Sequence, residues 1–216
     1  MTSETSKRSP KKEAKSRTST KEKIFNVSID LFSQRGFNGV SIREIAREVG
    51  IRESSIYNHY RSKDAIMNSI FQYFKGELIK MRPPEARNRE DMGQITPEVF
   101  RRRAHSTLNL FNDQKMEKIF RIISNEQFRD ERAKEIVLDY LIREPYSFSK
   151  KVIEIMISNG KIDKVDPKVK AMEFQYPIYS LFLENLLLRS NNSDTSLNEK
   201  LIEDHLDHFV NSLKKE

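Results

Sequence analysis

Residues 41–60 read SIREIAREVGIRESSIYNHY. Ser41 and Glu44 have the spacing of a capping box, so a helix should open at Ile42. Ile42, Ile45, Ala46 and Val49 follow at helical spacing, and Gly50 closes the helix. A second short helix should begin near Arg52 or Glu53 and carry Ile56, Tyr57 and Tyr60. Ile51 and Ile56 can then face the apolar side of the first helix, and Ala46 is small where the two must approach. A helix-turn-helix has this physical requirement: one helix braces and the next enters the major groove. An ordinary helical hairpin meets the same packing demand, but its second helix would expose nothing distinctive. This one presents Ser54, Ser55, Tyr57, Asn58 and His59, each able to hydrogen-bond to phosphates or base edges.

Outward from this unit the pattern stays helical. Upstream, Ser19 and Glu22 repeat the capping-box spacing, Ile24, Val27, Leu31 and Phe32 share a face, and Gly36 ends the helix. Downstream, Ser62 should cap a fourth helix with Ile66, Ile70, Phe71, Phe74 and Leu78 inward, stopped by Pro83 and Pro84. Residues 82–97 are polar and contain Pro and Gly, and read as a linker. Helices are then expected at about 97–111, 115–125 and 130–159, the last kinked or split by Pro145. Asp166-Pro167 is a cap followed by a proline at the first helical position. It opens an apolar helix that Pro177 should bend, and Ser196 with Glu199 should box the final one. The expected fold is all-α with about nine helices. Its parts are a basic arm (1–18), a three-helix helix-turn-helix domain (19–65) and a helical effector-binding and dimerisation domain (66–216).

Composition narrows the function. Only 6 Gly and 7 Pro stand among 216 residues, few for a strand-rich fold that needs many turns. The net charge is +7, and residues 1–64 hold 14 Lys and Arg against 8 Asp and Glu. The excess lies in the first third of the chain, as a polyanion-binding head requires. Much of it comes from the arm, whose Lys7, Arg8, Lys11, Lys12, Lys15 and Arg17 outnumber Glu4 and Glu13 and can follow a DNA backbone. Cysteine is absent, which excludes disulfides, thiolate metal sites and a cysteine nucleophile. Residues 1–23 contain no apolar run and residues 177–188 are too short and polar to span a bilayer, so a cytoplasmic protein is expected. No phosphate-cradling glycine motif or nucleophile elbow occurs and the four His are scattered, so an enzyme is not expected. His205 and His208, with Asp204 and Asp207, lie on neighbouring positions of one helix but lack further ligands nearby, so no metal and no cofactor is expected.

Residues 20–66 resemble the DNA-binding domain of the TetR family of transcriptional regulators. The matching residues are Ile24, Leu31, Phe32, Gly36, Phe37, Ser41, Ile42, Ile45, Ala46, Gly50, Ile51, Tyr57, His59, Tyr60, Ser62, Lys63 and Asp64. The closing run Tyr-x-His-Tyr-x-Ser-Lys-Asp is similar to the family's Tyr-x-His-Phe-x-Ser-Lys-Glu. The resemblance implies DNA contacts from Ser41 and Arg43, phosphate contacts from Tyr57 and His59, and a phosphate-binding Lys63 at a helix N-terminus, where the dipole adds to its charge. Three positions depart from the family pattern. Arg52 stands where Ser or Thr usually caps the recognition helix, Glu53 where a small or basic residue is common, and Ser54 where Gly is common. Arg52 can reach phosphate and Glu53 can accept from a cytosine amino group, so these residues join the expected contacts and the departures bear on the operator sequence.

The same resemblance implies double-stranded DNA and a second copy of the chain as partners, with a small effector in the C-terminal part. The effector is expected to be apolar or aromatic, because Phe100, Phe111, Phe120, Tyr140, Phe174 and Tyr179, with His105, can line a pocket. Residues 174–188 (FQYPIYSLFLENLLL) are apolar nearly all round, which requires burial on both sides. Tyr176, Leu183, Leu187, Leu206 and Phe209 are the residues expected at a homodimer interface. The implied function is a repressor released from a palindromic operator. The alternatives are a ligand-dependent activator and a sequence-independent nucleoid-type protein, the latter disfavoured by the base-reading set on the recognition helix.

Overall fold

The computed structural model describes residues 19–81 and 94–215. The expected basic arm and most of the expected linker lie outside these residues. Nine helices and no strand are present among the described residues. The first four are α1 (Thr20–Arg35), α2 (Ile42–Val49), α3 (Glu53–Tyr57) and α4 (Lys63–Lys80). Then come α5 (Glu98–Phe111), α6 (Gln114–Glu126), a long α7, α8 (Pro167–Ser190) and α9 (Ser196–Asn211). No helix among the described residues is long and apolar enough to cross a membrane.

Local chemistry sets most helix ends. Ser19 accepts from Glu22 N, Ser62 from Ala65 N, Asp113 from the amides of Lys115 and Met116, and Asp166 from the amides of Lys168 and Val169. Each supplies an acceptor that a first-turn N–H otherwise lacks. Gly36 follows α1 as its C-cap. The last helix departs from its expected box: α9 begins at Ser196, with Thr195 as the cap residue. The Ser196 hydroxyl donates to Asp194, and the Thr195 hydroxyl donates to Glu199.

Pro145 neither kinks nor ends its helix in the ordinary way. Inside α7, Glu131–Glu135 passes into a π-helical stretch, Ile136–Arg143, before α-geometry resumes over Glu144–Ser158. A proline has no N–H to give and its ring crowds the carbonyl four residues back. Widening the preceding turns accommodates that defect without breaking the helix. Pro177 lies inside α8, which is continuous through it.

Two apolar cores result. One joins α1–α4 to α6, to the first half of α7 and to Phe182 and Leu186 of α8. Phe111 sits within it, edge-on to Phe74, Phe120 and Phe182 with ring centroids 5.9, 5.6 and 4.6 Å away. The second core joins α5, the second half of α7, α8 and α9 through Phe100, Phe174 and Phe209. Leu206 and Phe209, expected at a dimer interface, are wholly buried in this core of their own protomer, because the opposite side of α9 faces solvent. Asn185 and Asn198 are buried and hydrogen-bonded to each other at 3.1 Å, fixing the register of α8 on α9.

Gly39 and Gly76 have opposite surroundings. A Cβ on Gly39 would lie 2.4 Å from the Arg35 carbonyl oxygen, whereas one on Gly76, inside α4, would meet nothing within 4 Å. Gly76→Ala should therefore stabilise the protein by about 0.5–1 kcal/mol through helix propensity. Gly39→Ala should lower Tm by at least about 3 °C, because backbone must move. Thermal unfolding of the two variants checks both signs. His205 supplies a pH test. Its ring stacks on Phe174 and burial pushes its pKa below the usual histidine value. The unfolded chain then takes up the proton first as pH falls. The neutral ring's contribution is full above about pH 6.5 and is lost as pH drops through the folded pKa. Tm measured from pH 7.5 to 5.5 should fall more steeply in the wild type than in His205→Gln.

Candidate nucleic-acid interface and internal cleft

The head begins with the Ser41–Glu44 capping box, present in full: Ser41 Oγ accepts from Glu44 N at 3.2 Å and Glu44 Oε2 accepts from Ser41 N at 2.8 Å. Those bonds and the Arg35 guanidinium at 2.7 Å hold the Glu44 carboxyl down to a pKa of about 2. Gly50 adopts the left-handed conformation (φ 78°, ψ 34°), and its N–H reaches the Ala46 and Arg47 carbonyls. This αL residue turns the chain from α2 into α3, a conformation that costs a residue with a Cβ. Ile45, Ala46 and Ile56 are buried at the α2–α3 contact.

The expected DNA-contact residues fall mostly on the outside of this unit. Arg43, Arg52, Glu53, Ser54, Asn58 and His59 are exposed, Tyr57 is half-exposed and Ser55 is half-buried. Tyr57 is thus not a core aromatic; Ile56 and Tyr60 take the inward positions beside it. Arg52 occupies the N-cap of α3 and makes no side-chain cap bond, as expected of a side chain without an acceptor.

Two expected contacts are engaged elsewhere. Ser41 is exposed, but its hydroxyl donates to Glu44 at 2.8 Å and accepts from the Glu44 amide, so DNA would have to compete with the cap. Lys63 Nζ donates to the carbonyls of Phe37 and Val40 at 2.9 and 2.8 Å and lies 4.2 Å from the centre of the Phe37 ring. The lysine therefore clamps the start of α4 to the α1–α2 turn and keeps one N–H for another acceptor. Sequence spacing does not show this, because its partners lie more than twenty residues upstream. Sequence reasoning also missed Arg47 and Arg61. Together with Arg43 and Arg52 they are exposed and form no ion pair among the described residues. Arg47 was findable, since it lies one turn beyond Arg43 on the same face of α2.

The head is braced by α6 and α7. Lys118 meets Asp30 at 2.6 Å, and the buried Glu126 carboxylate accepts from Phe37 N at 3.3 Å. Arg132 grips Asp64 with two bonds of 2.6 and 3.1 Å while also pairing with Asp130. These carboxylates raise the guanidinium pKa further, and the Arg132 bond in turn lowers that of Asp130.

Behind the head, an internal cleft lies where the two cores meet. Its cavity volume is about 90 Å³. Leu78 and Ile79 of α4 form one wall, and Leu108, Leu141, Ile178 and Ile202 contribute from the other helices. Of the expected pocket residues, Tyr140, Phe174 and Tyr179 line it. Phe100, Phe111 and Phe120 do not; they fill the two cores by packing edge-on against other rings. His105 lies outside, with Nε2 2.8 Å from Glu203. The lining also holds Arg103, Glu144 and Gln175, polar residues with no distinguishing pattern in the sequence.

On α8, Val169, Met172, Tyr176 and Leu187 are exposed and Leu183 is half-buried, at intervals that place them along one side of the helix. Leu197 and Leu201 of α9 are exposed as well. Among the described residues, no cluster of three or more His, Asp or Glu able to hold a metal occurs. Asp207 instead pairs with Arg101, and His205 stacks on Phe174.

Residues 24–70 match the model of the tetR family of bacterial regulatory proteins. The chain is 36% identical over 97 residues to the HTH-type transcriptional regulator YerO of Bacillus subtilis, a stretch covering 44% of this chain and 32% of that protein. It is 34% identical over 64 residues to IcaR of Staphylococcus epidermidis, a negative transcriptional regulator of the biofilm operon icaADBC, covering 28% of this chain and 35% of that one. The matches thus span about a third of these relatives' length. A crystal structure of a tetR-family regulatory protein from Rhodococcus RHA1 superimposes with a TM-score of 0.63 at 16% identity, covering 93% of this chain and 100% of that one, a likeness of fold. Residues 24–70 thus carry a helix-turn-helix of the tetR type, whose exposed Arg43, Arg47, Arg52 and Arg61 form no ion pair among the described residues, on a scaffold that shares the fold of that Rhodococcus protein.

Proposed function

We propose that the chain is a cytoplasmic homodimeric repressor that holds a near-palindromic operator and releases it when a small apolar or aromatic effector occupies the cleft. The observation that carries this reading is the span of α4. Its first residue, Lys63, is clamped to the turn that precedes α2, and Leu78 and Ile79 near its end form a wall of the cleft. Eighteen residues of α-helix make a strut of about 27 Å between the two. A ligand that displaces the cleft end of α4 moves the head. Negative regulation is supported by the likeness to IcaR, whose described role is negative. In this reading residues 19–65 form the DNA-binding unit, and residues 66–216 hold effector and partner. Residues 1–18 add affinity for any DNA without specificity, since phosphate contacts carry no sequence information.

Dimerisation is supported by the α8 stripe. The exposed apolar side chains along one side of α8, Val169, Met172, Tyr176 and Leu187, fit the same helix from a second copy. A two-fold axis there would present two α3 helices to major grooves about 34 Å apart.

Selection of binding sites from random DNA, followed by footprinting, tests the proposal. The expected result is two inverted half-sites protected together; a single half-site or no enriched sequence would refute it. In the same assay Arg43→Ala and Arg47→Ala should each weaken operator and random DNA alike and reduce the salt slope by about one per subunit. Lys63→Ala should differ, weakening DNA binding and lowering Tm together, because the clamp on Phe37 and Val40 goes with it. The dimer has its own test. Leu187→Asp should shift the sedimenting mass from dimer to monomer at micromolar concentration with the far-UV helix signal unchanged, since Leu187 is 60% exposed in the protomer.

A further inference from the structure

Besides Phe128, the large apolar side chains exposed among the described residues fall on surfaces with a role above: Tyr57 on α3, Ile79 at the cleft end of α4, and the exposed apolar residues of α8 and α9. Phe128 belongs to none of these, and at 90% it is the most exposed of them all. A single exposed apolar residue is common on protein surfaces and by itself signifies nothing. The setting of this one is particular. Phe128 lies in the turn between α6 and α7, and the turn is tightly tied. The Glu126 carbonyl accepts from the amides of Arg129 and Asp130 at 2.8 Å, and Asp130 accepts from Arg132 N at 2.9 Å. The same turn is fastened to the head at two points. The Glu126 carboxylate holds Phe37 N in the turn before α2, and Arg132 grips Asp64, the neighbour of Lys63 in the first turn of α4. Phe128 is two residues from Glu126, so their Cα atoms are at most about 7.6 Å apart. The ring therefore projects beside the two elements whose resemblance places Ser41 and Lys63 on DNA.

The charges around the turn point to the kind of partner. The nearby carboxylates are engaged within the protein: Glu126 by Phe37 N, Asp64 and Asp130 by Arg132, and Glu131 by Lys134. Arg129, next to Phe128, and Arg61, two residues before Lys63, are exposed and form no ion pair among the described residues. A protein partner would cover a ring set in an apolar patch. The chain neighbours of Phe128 are Gln127 and Arg129 instead. A DNA duplex meets both needs at once, with phosphate oxygens for the guanidinium and the apolar face of deoxyribose for the ring. We propose that the α6–α7 turn is a second DNA contact, in which Arg129 pairs with a backbone phosphate and Phe128 packs on deoxyribose at the minor-groove edge beside the half-site read by α3. This rests on the reading of the head as the DNA-binding unit and adds a contact from the domain behind it. Tyr140 and Leu141 of α7 line the cleft, so the helix that follows the turn touches both sites.

The chain has no tryptophan, so Phe128→Trp introduces a single indole whose emission reports on this one position. The full-length variant is titrated with the duplex recovered by selection from random DNA, and with a random-sequence duplex at low salt. Both should quench the emission. Arg129→Gln should lower the salt slope by about one per subunit. Phe128→Ser should weaken the selected duplex at least about fivefold, as loss of a partly covered ring predicts. Hydroxyl radicals cut DNA at deoxyribose. In their footprint Phe128→Ser should lose protection at one position beside each half-site and keep the protection within it. Neither substitution should move Tm by more than about 2 °C, because both side chains are exposed. Emission that ignores bound DNA overturns the proposal, as does a footprint that Phe128→Ser leaves unchanged. Emission that changes with protein concentration alone overturns it in favour of a contact between copies. Wild-type protein that binds neither duplex overturns the reading of the head as well, which separates that failure from a failure of the turn.

Discussion

The structure hangs on the burial of α4. Ile66, Met67, Ile70, Phe71 and Phe74 along this helix have almost no exposed surface, and they close the core of the helix-turn-helix while packing on α6 and α7. The head is thus not a bead on a flexible tether. It shares its hydrophobic core with the helices behind it, and no apolar boundary separates them. Because packed interiors resist continuous deformation, α4 can tilt or slide as a body but cannot bend around a local push. Three polar ties reinforce it: Asp30 with Lys118, Phe37 N with Glu126, and Asp64 with Arg132. The two surface ion pairs among them are worth little singly. Their value is directional, because each joins a different side of the head to the same two helices.

Charge is distributed to match this division. In α5–α9 the arginines at 101, 103, 121, 132, 143 and 189 all meet carboxylates, and the region reads as close to neutral. In the head, Arg43, Arg47, Arg52 and Arg61 have no such partner among the described residues. An unpaired surface guanidinium keeps its field and its donors for phosphate, whereas a paired one has already surrendered both. The net charge of residues 19–64 is modest, so the availability of these arginines matters more than their number.

What could be read from the sequence follows from the range of the interactions. Ser41 with Glu44, Gly50, Asp166 with Pro167 and the alternation of apolar positions act within one or two turns, and the helices they define stand where expected. The position of Pro145 marked a defect in its helix, but its form, a π-helical stretch over Ile136–Arg143, depends on the packing on both sides. The division of the aromatics was not legible. Phe111 and Tyr140 are alike as sequence, and only the crossing of α5 with α4, α6 and α8 puts the first in a ring cluster and the second on the cleft. Leu206 and Phe209 share the composition of an interface stripe, yet α9 turns them inward. Lys63 matched a phosphate-binding position, but its carbonyl partners are set by the path of the α1–α2 turn.

The location of the cleft explains why occupancy can matter at a distance. Leu141 and Phe182 belong to the core that holds the head, whereas Ala104, Phe174 and Ile202 belong to the other. The space between them lies beside the two helices that carry internal prolines, and Pro145 itself is part of its wall. Helices with such defects cannot close on each other as smoothly as regular ones, which leaves a seam where a regular bundle would have continuous contact. An unfilled apolar seam costs stability, so a ligand that fills it favours whichever relative placement of the two cores gives it the most contact. If that placement differs from the one DNA selects, effector and operator oppose each other by the same free energy in both directions. The protein bound to its operator must then hold the effector more weakly than the free protein, by the same factor by which the effector weakens the operator complex.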